Sequence, residues 1–167
     1  MVIVHVWDSA WTRFIPGGAS GSPGHASIQL SPTATASATG YASIHPGRNG
    51  AFSCTSREFR TLNMDVRNYI IAKQTHRRRE ISGLNETAMN RTWQEILSSG
   101  RMYCGDPTER GALFTCSSLV HELLIAGGSE RFAKGLGSRR LFTTSPSDVL
   151  DYVDSMRGSE LVITPAR

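Results

Sequence analysis

The sequence of 167 residues predicts a single α+β domain in which a small antiparallel sheet packs against a central helix that carries a cysteine. Three observations predict it. Val2-Ile3-Val4-His5-Val6-Trp7 is a compact β-branched run, and two more short strand-forming stretches follow before Pro46. Leu119, Val120, Leu123, Leu124 and Ala126 recur at helical spacing, and Gly127-Gly128 supplies a stop. Cys116 stands where that helix begins.

In order, the first strand is followed by a loop rich in Gly, Ser and Pro from Ser9 to Gly24. His25 to Leu30 and Tyr41 to His45 read as an antiparallel pair, and Pro46-Gly47 breaks the second strand. Arg48 to Arg60 reads as a polar loop. The strand-forming triplet Tyr69-Ile70-Ile71 predicts a strand from Val66 to Gln74. Asn85 is an N-cap for a helix to Ser98, with Ala88, Met89, Thr92, Trp93, Ile96 and Leu97 as its apolar face and Gly100 ending it. After the cysteine helix, Ser129 to Lys134 forms a short helical turn. Ser145-Pro146-Ser147-Asp148 starts a last helix running to Met156, and Leu161-Val162-Ile163 is a terminal strand or a loose tail.

Composition narrows the function classes. Apolar content of 39 % with 19 % charged residues is that of a globular domain able to bury a core. The net charge of +4 comes mostly from arginines, clustered at Arg77-Arg78-Arg79 and Arg139-Arg140. Without interleaved aromatics to stack on bases, these clusters read first as solvated surface and second as a docking patch for acidic partners, not as a nucleic-acid site. No apolar run is long enough for a membrane span, and no Sec-type signal opens the chain. Cys54, Cys104 and Cys116 form an odd set without C-x-x-C spacing, which argues against a disulfide framework and against a structural zinc site. Folding in a reducing cytosol, with no metal or cofactor, is the expectation.

A thiol in the first turn of a helix feels the positive end of the helix dipole and unpaired N–H groups, which favour the thiolate. Such a nucleophile needs a base, and histidine suits that work near neutral pH. His5 alternates with Val4 and Val6 and reads as a sheet-surface residue; His76 lies among arginines and reads as exposed. His121, five residues after Cys116 on the same helix, is rotated away from the thiol and reads as structural. His25 opens one strand after Pro23-Gly24, and His45 closes the next, so an antiparallel pairing brings the two rings to one sheet edge. One imidazole then polarises Cys116 and the other fixes its tautomer. Asp8 is an alternative orienter or wall residue, and Trp7 and Trp11 are candidates to line a groove, although core packing suits Trp7 better.

Gly24-His25-Ala26-Ser27-Ile28, Tyr41-Ala42-Ser43-Ile44-His45-Pro46 and Cys116-Ser117-Ser118-Leu119-Val120, with Ala126-Gly127-Gly128 beyond, resemble the circularly permuted branch of the papain-like superfamily. That branch includes permuted NlpC/P60 enzymes and the lecithin:retinol acyltransferase group, and its histidine strand precedes its cysteine helix. The resemblance spans roughly residues 20–156. It implies Cys116 as nucleophile, His25 as general base and His45 as third polar group. Thr-Cys-Ser-Ser departs from the Asn-Cys-Glu-His of the acyltransferases and lies closer to the Asp-Cys-Ser-Gly of the amidases. Tyr103 resembles the tyrosine that precedes the cysteine in those amidases and falls near the oxyanion site.

The expectation is a monomeric thiol hydrolase cutting an amide bond in a peptidoglycan stem peptide or a protein. The likeness to permuted domains of secretion-system toxins implies an effector made in the cytoplasm and then secreted or injected. Its partners would be an immunity protein or a component of the secretion machine. The same site could serve an acyltransferase or a deamidase, and a non-enzymatic binding domain with a relic site is the third alternative.

Overall fold

A computed structural model describes residues 1–8, 24–46, 56–71, 74–104, 113–133 and 145–165. Trp11, the pair Arg139-Arg140 and Cys54 lie outside the described residues.

Strands β1 (Val2–Trp7), β2 (His25–Gln29) and β3 (Tyr41–Ala42) run antiparallel as read from the sequence, with Trp7 opposite His25 and Ile28 opposite Ala42. The Tyr41 to His45 stretch is not one strand. It leaves the main sheet at Ser43, and β4 (Ile44–Pro46) pairs instead with β5 (Arg57–Phe59), in a stretch read as polar loop. Phe59 explains the extra strand: its ring stands edge-on to Trp93 at 5.5 Å.

The expected strand from Val66 to Gln74 is a helix, α1 (Leu62–Ile71). Thr61 starts it, its hydroxyl accepting the Met64 N–H at 3.3 Å. Asp65 and Tyr69, four residues apart, both turn inward, while Ile70 is 66 % exposed. A helical period hides one face of this segment and leaves the β-branched Ile70 to solvent, so its strand propensity decides nothing.

Next comes β6 (His76–Ser82), which pairs with β1 along its length, and β9 (Val162–Pro165) closes the sheet beyond it, so the C-terminal stretch is a strand. The five-stranded order is β3-β2-β1-β6-β9. Arg77, Arg78 and Arg79 thus sit inside a sheet and are half-buried, with Arg77 paired to Asp8 and Arg79 forked onto Asp154 at 2.7 and 2.9 Å.

Helix α2 (Glu86–Ser98) starts at the expected cap, the Asn85 side chain accepting the Ala88 N–H at 3.0 Å, and buries Met89, Trp93 and Ile96. At its far end the Arg57 guanidinium donates to the carbonyls of Ile96 and Leu97 at 3.2 and 3.0 Å, neutralising the negative end of the helix. Short parallel strands β7 (Met102–Tyr103) and β8 (Leu113–Phe114) lead into α3 (Cys116–Ala126), and α4 (Pro146–Ser155) completes the set. The expected helical turn is a 3₁₀ turn at Ser129–Arg131. Ser145 and Asp148 cap α4 reciprocally, the Ser145 hydroxyl accepting the Asp148 N–H at 3.2 Å and the Asp148 carboxylate accepting the Ser145 N–H at 2.7 Å. Ser145→Ala is therefore expected to cost about 1 kcal/mol, read as a shift of the urea midpoint at constant slope.

The fold is α+β, with the cysteine helix packed centrally. Val2, Val4, Val6, Ala26, Ile28 and Ala42 turn one face of the sheet onto Leu119, Val120, Leu123 and Leu124 of α3 and Val149, Leu150 and Val153 of α4. The opposite alternate residues, His5, Trp7, His25, Ser27 and Gln29, are buried too. A sheet hidden on both faces needs partners for every polar group on the second one. That second face holds the candidate site.

Candidate functional site

Asp65 is the hub. Its carboxylate is fully buried and accepts four hydrogen bonds from four side chains. Oδ2 takes the Tyr41 hydroxyl at 2.7 Å, the Ser43 hydroxyl at 2.6 Å and His25 Nε2 at 3.2 Å, while Oδ1 takes His45 Nε2 at 3.0 Å. Burial pushes this carboxyl up, but hydrogen bonds and charge from His25 and His45 outweigh it and hold the group well below the usual carboxylate range. It is a carboxylate at any working pH.

The sequence positions these donors by simple alternation. Tyr41, Ser43 and His45 stand two residues apart, so they share a face, while Ala42 and Ile44 turn into the core. The alternation continues through Ser43 although the strand changes partners there. His25 comes from β2, its Nε2 also 3.0 Å from Ser43 Oγ. The histidine rings meet as the antiparallel reading expects, with centroids 4.0 Å apart and Nε2 atoms 3.1 Å apart. Burial, then the neighbouring His25, lowers the His45 pKa to about 4, so His45 is neutral near pH 7.

The His25 ring is held by aromatic neighbours. Trp7, directly opposite in β1, stacks at 5.5 Å, and Tyr69 of α1 stacks at 5.3 Å with an interplanar angle of 10°. Trp7 is 1 % exposed, so it is packing around the histidine and no wall of an open groove. Asp8 is committed elsewhere, to Arg77, and the carboxylate at His25 Nε2 is that of Asp65.

Cys116 is the first residue of α3, after a reciprocal cap in which Thr115 and Ser118 satisfy one another's backbone N–H groups. The backbone N–H of Ala26, the residue after His25, is among the groups that favour the thiolate, so the thiol lies close to the start of β2. The helix start alone does not yield a thiolate. Burial pushes the Cys116 thiol up, and the N–H groups of Ala26, Ser117 and Cys116 together with the Ser117 hydroxyl only partly offset this. Tyr69 and Tyr103 feel the charge of Cys116, second to their own burial, and both phenols are pushed up.

Two expectations change here. His5 is not a surface residue but 2 % exposed, its Nε2–H donating to Gln29 Oε1 at 2.7 Å and its Nδ1 lying 3.0 Å from His76 Nε2. His76 is exposed as read, yet its ring stacks on Trp7 at 4.5 Å. Cys104 is disulfide-bonded and Cys116 is free, so the cysteines do not form a wholly reduced set. Spacing along the chain misled because pairing depends on distance in space, and an odd count is also that of one bridge plus one thiol. His121 fits its structural reading, standing edge-on to Tyr152 at 4.8 Å.

The profile of one protein family, the IcsB middle domain, matches residues 51–160, about two thirds of the chain. The chain belongs to the IcsB middle domain family. The IcsB match takes in Asp65, Tyr103 and Cys116 and starts after His25 and His45. IcsB middle domains are effector-related, which agrees with an effector and with secretion or injection. No curated protein and no solved structure matches the chain. Among the described residues of this IcsB-type domain, no helix is long and apolar enough to cross a membrane.

Asp65 was not read from the sequence. Its signal was the polar trio Tyr41, Ser43 and His45 on one strand face, which demands a buried acceptor, and a Thr-x-x-x-Asp helix start four residues before an aromatic.

Proposed function

We propose that this domain is a cysteine-dependent hydrolase of amide bonds, built on a permuted papain-like plan, with Cys116 as nucleophile, His25 as general base and Asp65 as orienter. The observation that carries the reading is the commitment of His25 Nε2 to Asp65 and Ser43, which leaves Nδ1 for the thiol beside Ala26. A base whose far nitrogen is fixed by a carboxylate has a set tautomer and a stabilised imidazolium.

The reaction runs in two halves. His25 Nδ1 takes the Cys116 proton as sulfur attacks the carbonyl carbon, and N–H groups at the start of α3 stabilise the oxyanion. The C–N bond breaks as His25 returns the proton to the leaving amine. Water, deprotonated by His25, then attacks the thioester and frees the acid and the thiol. Because burial keeps Cys116 protonated at rest, proton removal by His25 belongs to the first chemical step. His45 is a positioning residue beside the Asp65–His25 pair, and Tyr103 is the candidate second oxyanion donor.

Acyl transfer to an amine is the second reading, and the burial of Cys116, 7 % exposed, favours it. A thioester formed there is shielded from bulk water. Deamidation of a glutamine uses the same steps with ammonia as the leaving group. The targets are a peptidoglycan stem peptide or a protein of the recipient cell, with a secretion-machine component or immunity protein as partner.

Incubation with purified peptidoglycan and with recipient-cell lysate, followed by mass spectrometry, tests the reading. Released fragments that are absent with Cys116→Ala are expected. Equal fragments from the variant remove the catalytic assignment, and mass gain on a lysate protein without cleavage moves the acceptor from water to an amine.

A further inference from the structure

Two imidazole nitrogens that face one another need a proton arrangement, and this site does not readily provide one. His25 Nε2 and His45 Nε2 lie 3.1 Å apart, and each also lies 3.2 and 3.0 Å, respectively, from an oxygen of Asp65. If both nitrogens donate to the carboxylate, their hydrogens point into the same small space. A switch of one ring to the Nδ1–H tautomer, or a cation in place of both hydrogens, relieves that crowding. The separations admit a cation of defined size. Ligands held about 2.0 to 2.1 Å from a tetrahedral zinc ion are about 3.3 Å from each other, close to the three separations found here, of which the two to Asp65 run to different oxygens of its carboxylate.

We propose that His25 Nε2, His45 Nε2 and an Asp65 oxygen bind a divalent transition metal of the zinc class, and that this metal switches the cysteine site off. All three side chains are buried and their ligand atoms converge within 4.8 Å. The chemistry of the donors matches: two neutral imidazoles with one carboxylate suit zinc, cobalt and nickel, whereas calcium and magnesium prefer oxygen alone. A second shell is already in place, since the Tyr41 and Ser43 hydroxyls donate to Asp65 Oδ2 and fix the carboxylate. Three protein ligands leave a fourth position for water.

The inhibitory half rests on the role of His25 proposed above. A neutral ring bound to metal through Nε2 carries its hydrogen on Nδ1, so it cannot accept the proton of Cys116. No bond to sulfur is needed. The metal removes the base and leaves the thiol protonated, and a chelator restores the base.

X-ray absorption on the wild-type chain with one equivalent of zinc reads the ligands directly. The expected spectrum contains two imidazoles and light-atom neighbours only; a sulfur neighbour at about 2.3 Å, or fewer than two imidazoles, overturns the site. Chelator competition with zinc alone is expected to show binding unchanged in Cys116→Ala and weakened about 100-fold in His45→Gln. Undiminished binding in a folded His45→Gln overturns it, and if that variant fails to fold the wild-type spectrum decides. Binding in Cys116→Ala separates the metal site from the enzyme reading. The switch is read by Cys116 alkylation with iodoacetamide, expected to slow about tenfold on adding zinc and to recover with EDTA. An unchanged rate at full zinc occupancy overturns the switch.

Discussion

Asp65→Asn is expected to lower turnover about 10²- to 10⁴-fold, and Asp65→Ala to cost about 3–5 kcal/mol of stability as well. Asparagine keeps the shape but offers one carbonyl where the carboxylate accepts from Tyr41, Ser43, His25 and His45. Its NH2 group then meets a ring nitrogen, and the tautomer that leaves His25 Nδ1 free for the thiol is no longer enforced. The loss therefore appears in the chemical step, with KM little changed and the pH profile of kcat/KM altered. Alanine goes further and strands four buried donors, which is costly because each has left water without a new acceptor. Steady-state kinetics against thermal melting separates the effects: a cold-stable Asp65→Ala chain would show that those donors are solvated after all.

Acid is expected to destabilise the domain through buried histidines, starting well above the range in which carboxylates ordinarily titrate. Burial, only partly offset by the hydrogen bond to Gln29 and reinforced by the nearby His76 and Arg78, lowers the His5 pKa to about 3 from an ordinary value of 6.5. Between those values the unfolded chain carries a proton that the folded chain refuses. Stability from this residue is complete above about pH 6.5, falls by about 1.4 kcal/mol per pH unit below it, and stops falling near pH 3. His45, lowered to about 4, acts in the same direction over a narrower window. Asp65 acts only at lower pH, its carboxyl being held beneath the usual range. Urea unfolding at half-unit steps from pH 7 to pH 4 reads the slope. His5→Gln is expected to make it shallower by about 1.4 kcal/mol per unit, and an unchanged slope would place the acid sensitivity elsewhere.

Much of this architecture is legible in the sequence wherever one local signal and the tertiary demand agree. The β-branched run of β1, the Asn85 cap, the Ser145–Asp148 box and the apolar stripe of α3 each place an element near its observed position. So does the antiparallel argument that His25 and His45 meet. Legibility fails where burial overrules propensity. Tyr69-Ile70-Ile71 is strand-forming in isolation, but Asp65 and Tyr69 face inward while Arg67 between them is exposed, which a helical period allows and a strand's alternation does not. Three consecutive arginines read as solvated surface because the sequence does not reveal that Asp8 and Asp154 await them across neighbouring elements. Asp65 was missed for a related reason: a lone carboxylate in a polar stretch looks exposed until the hydroxyls and imidazoles around it are assembled in space.

The segment from Tyr41 to His45 has a consequence for how this domain can vary through time. Its odd residues address one carboxylate and its even residues fill the core, while its backbone passes from one sheet to another at Ser43. Individual positions there accept a change of side chain at a graded cost. A change of length is different in kind, because losing or gaining a single residue exchanges the two faces beyond that point. Ile44 and His45 would trade places, and the carboxylate and the core would fail together. Substitutions can accumulate along the segment, whereas its number of residues is the quantity selection has to keep.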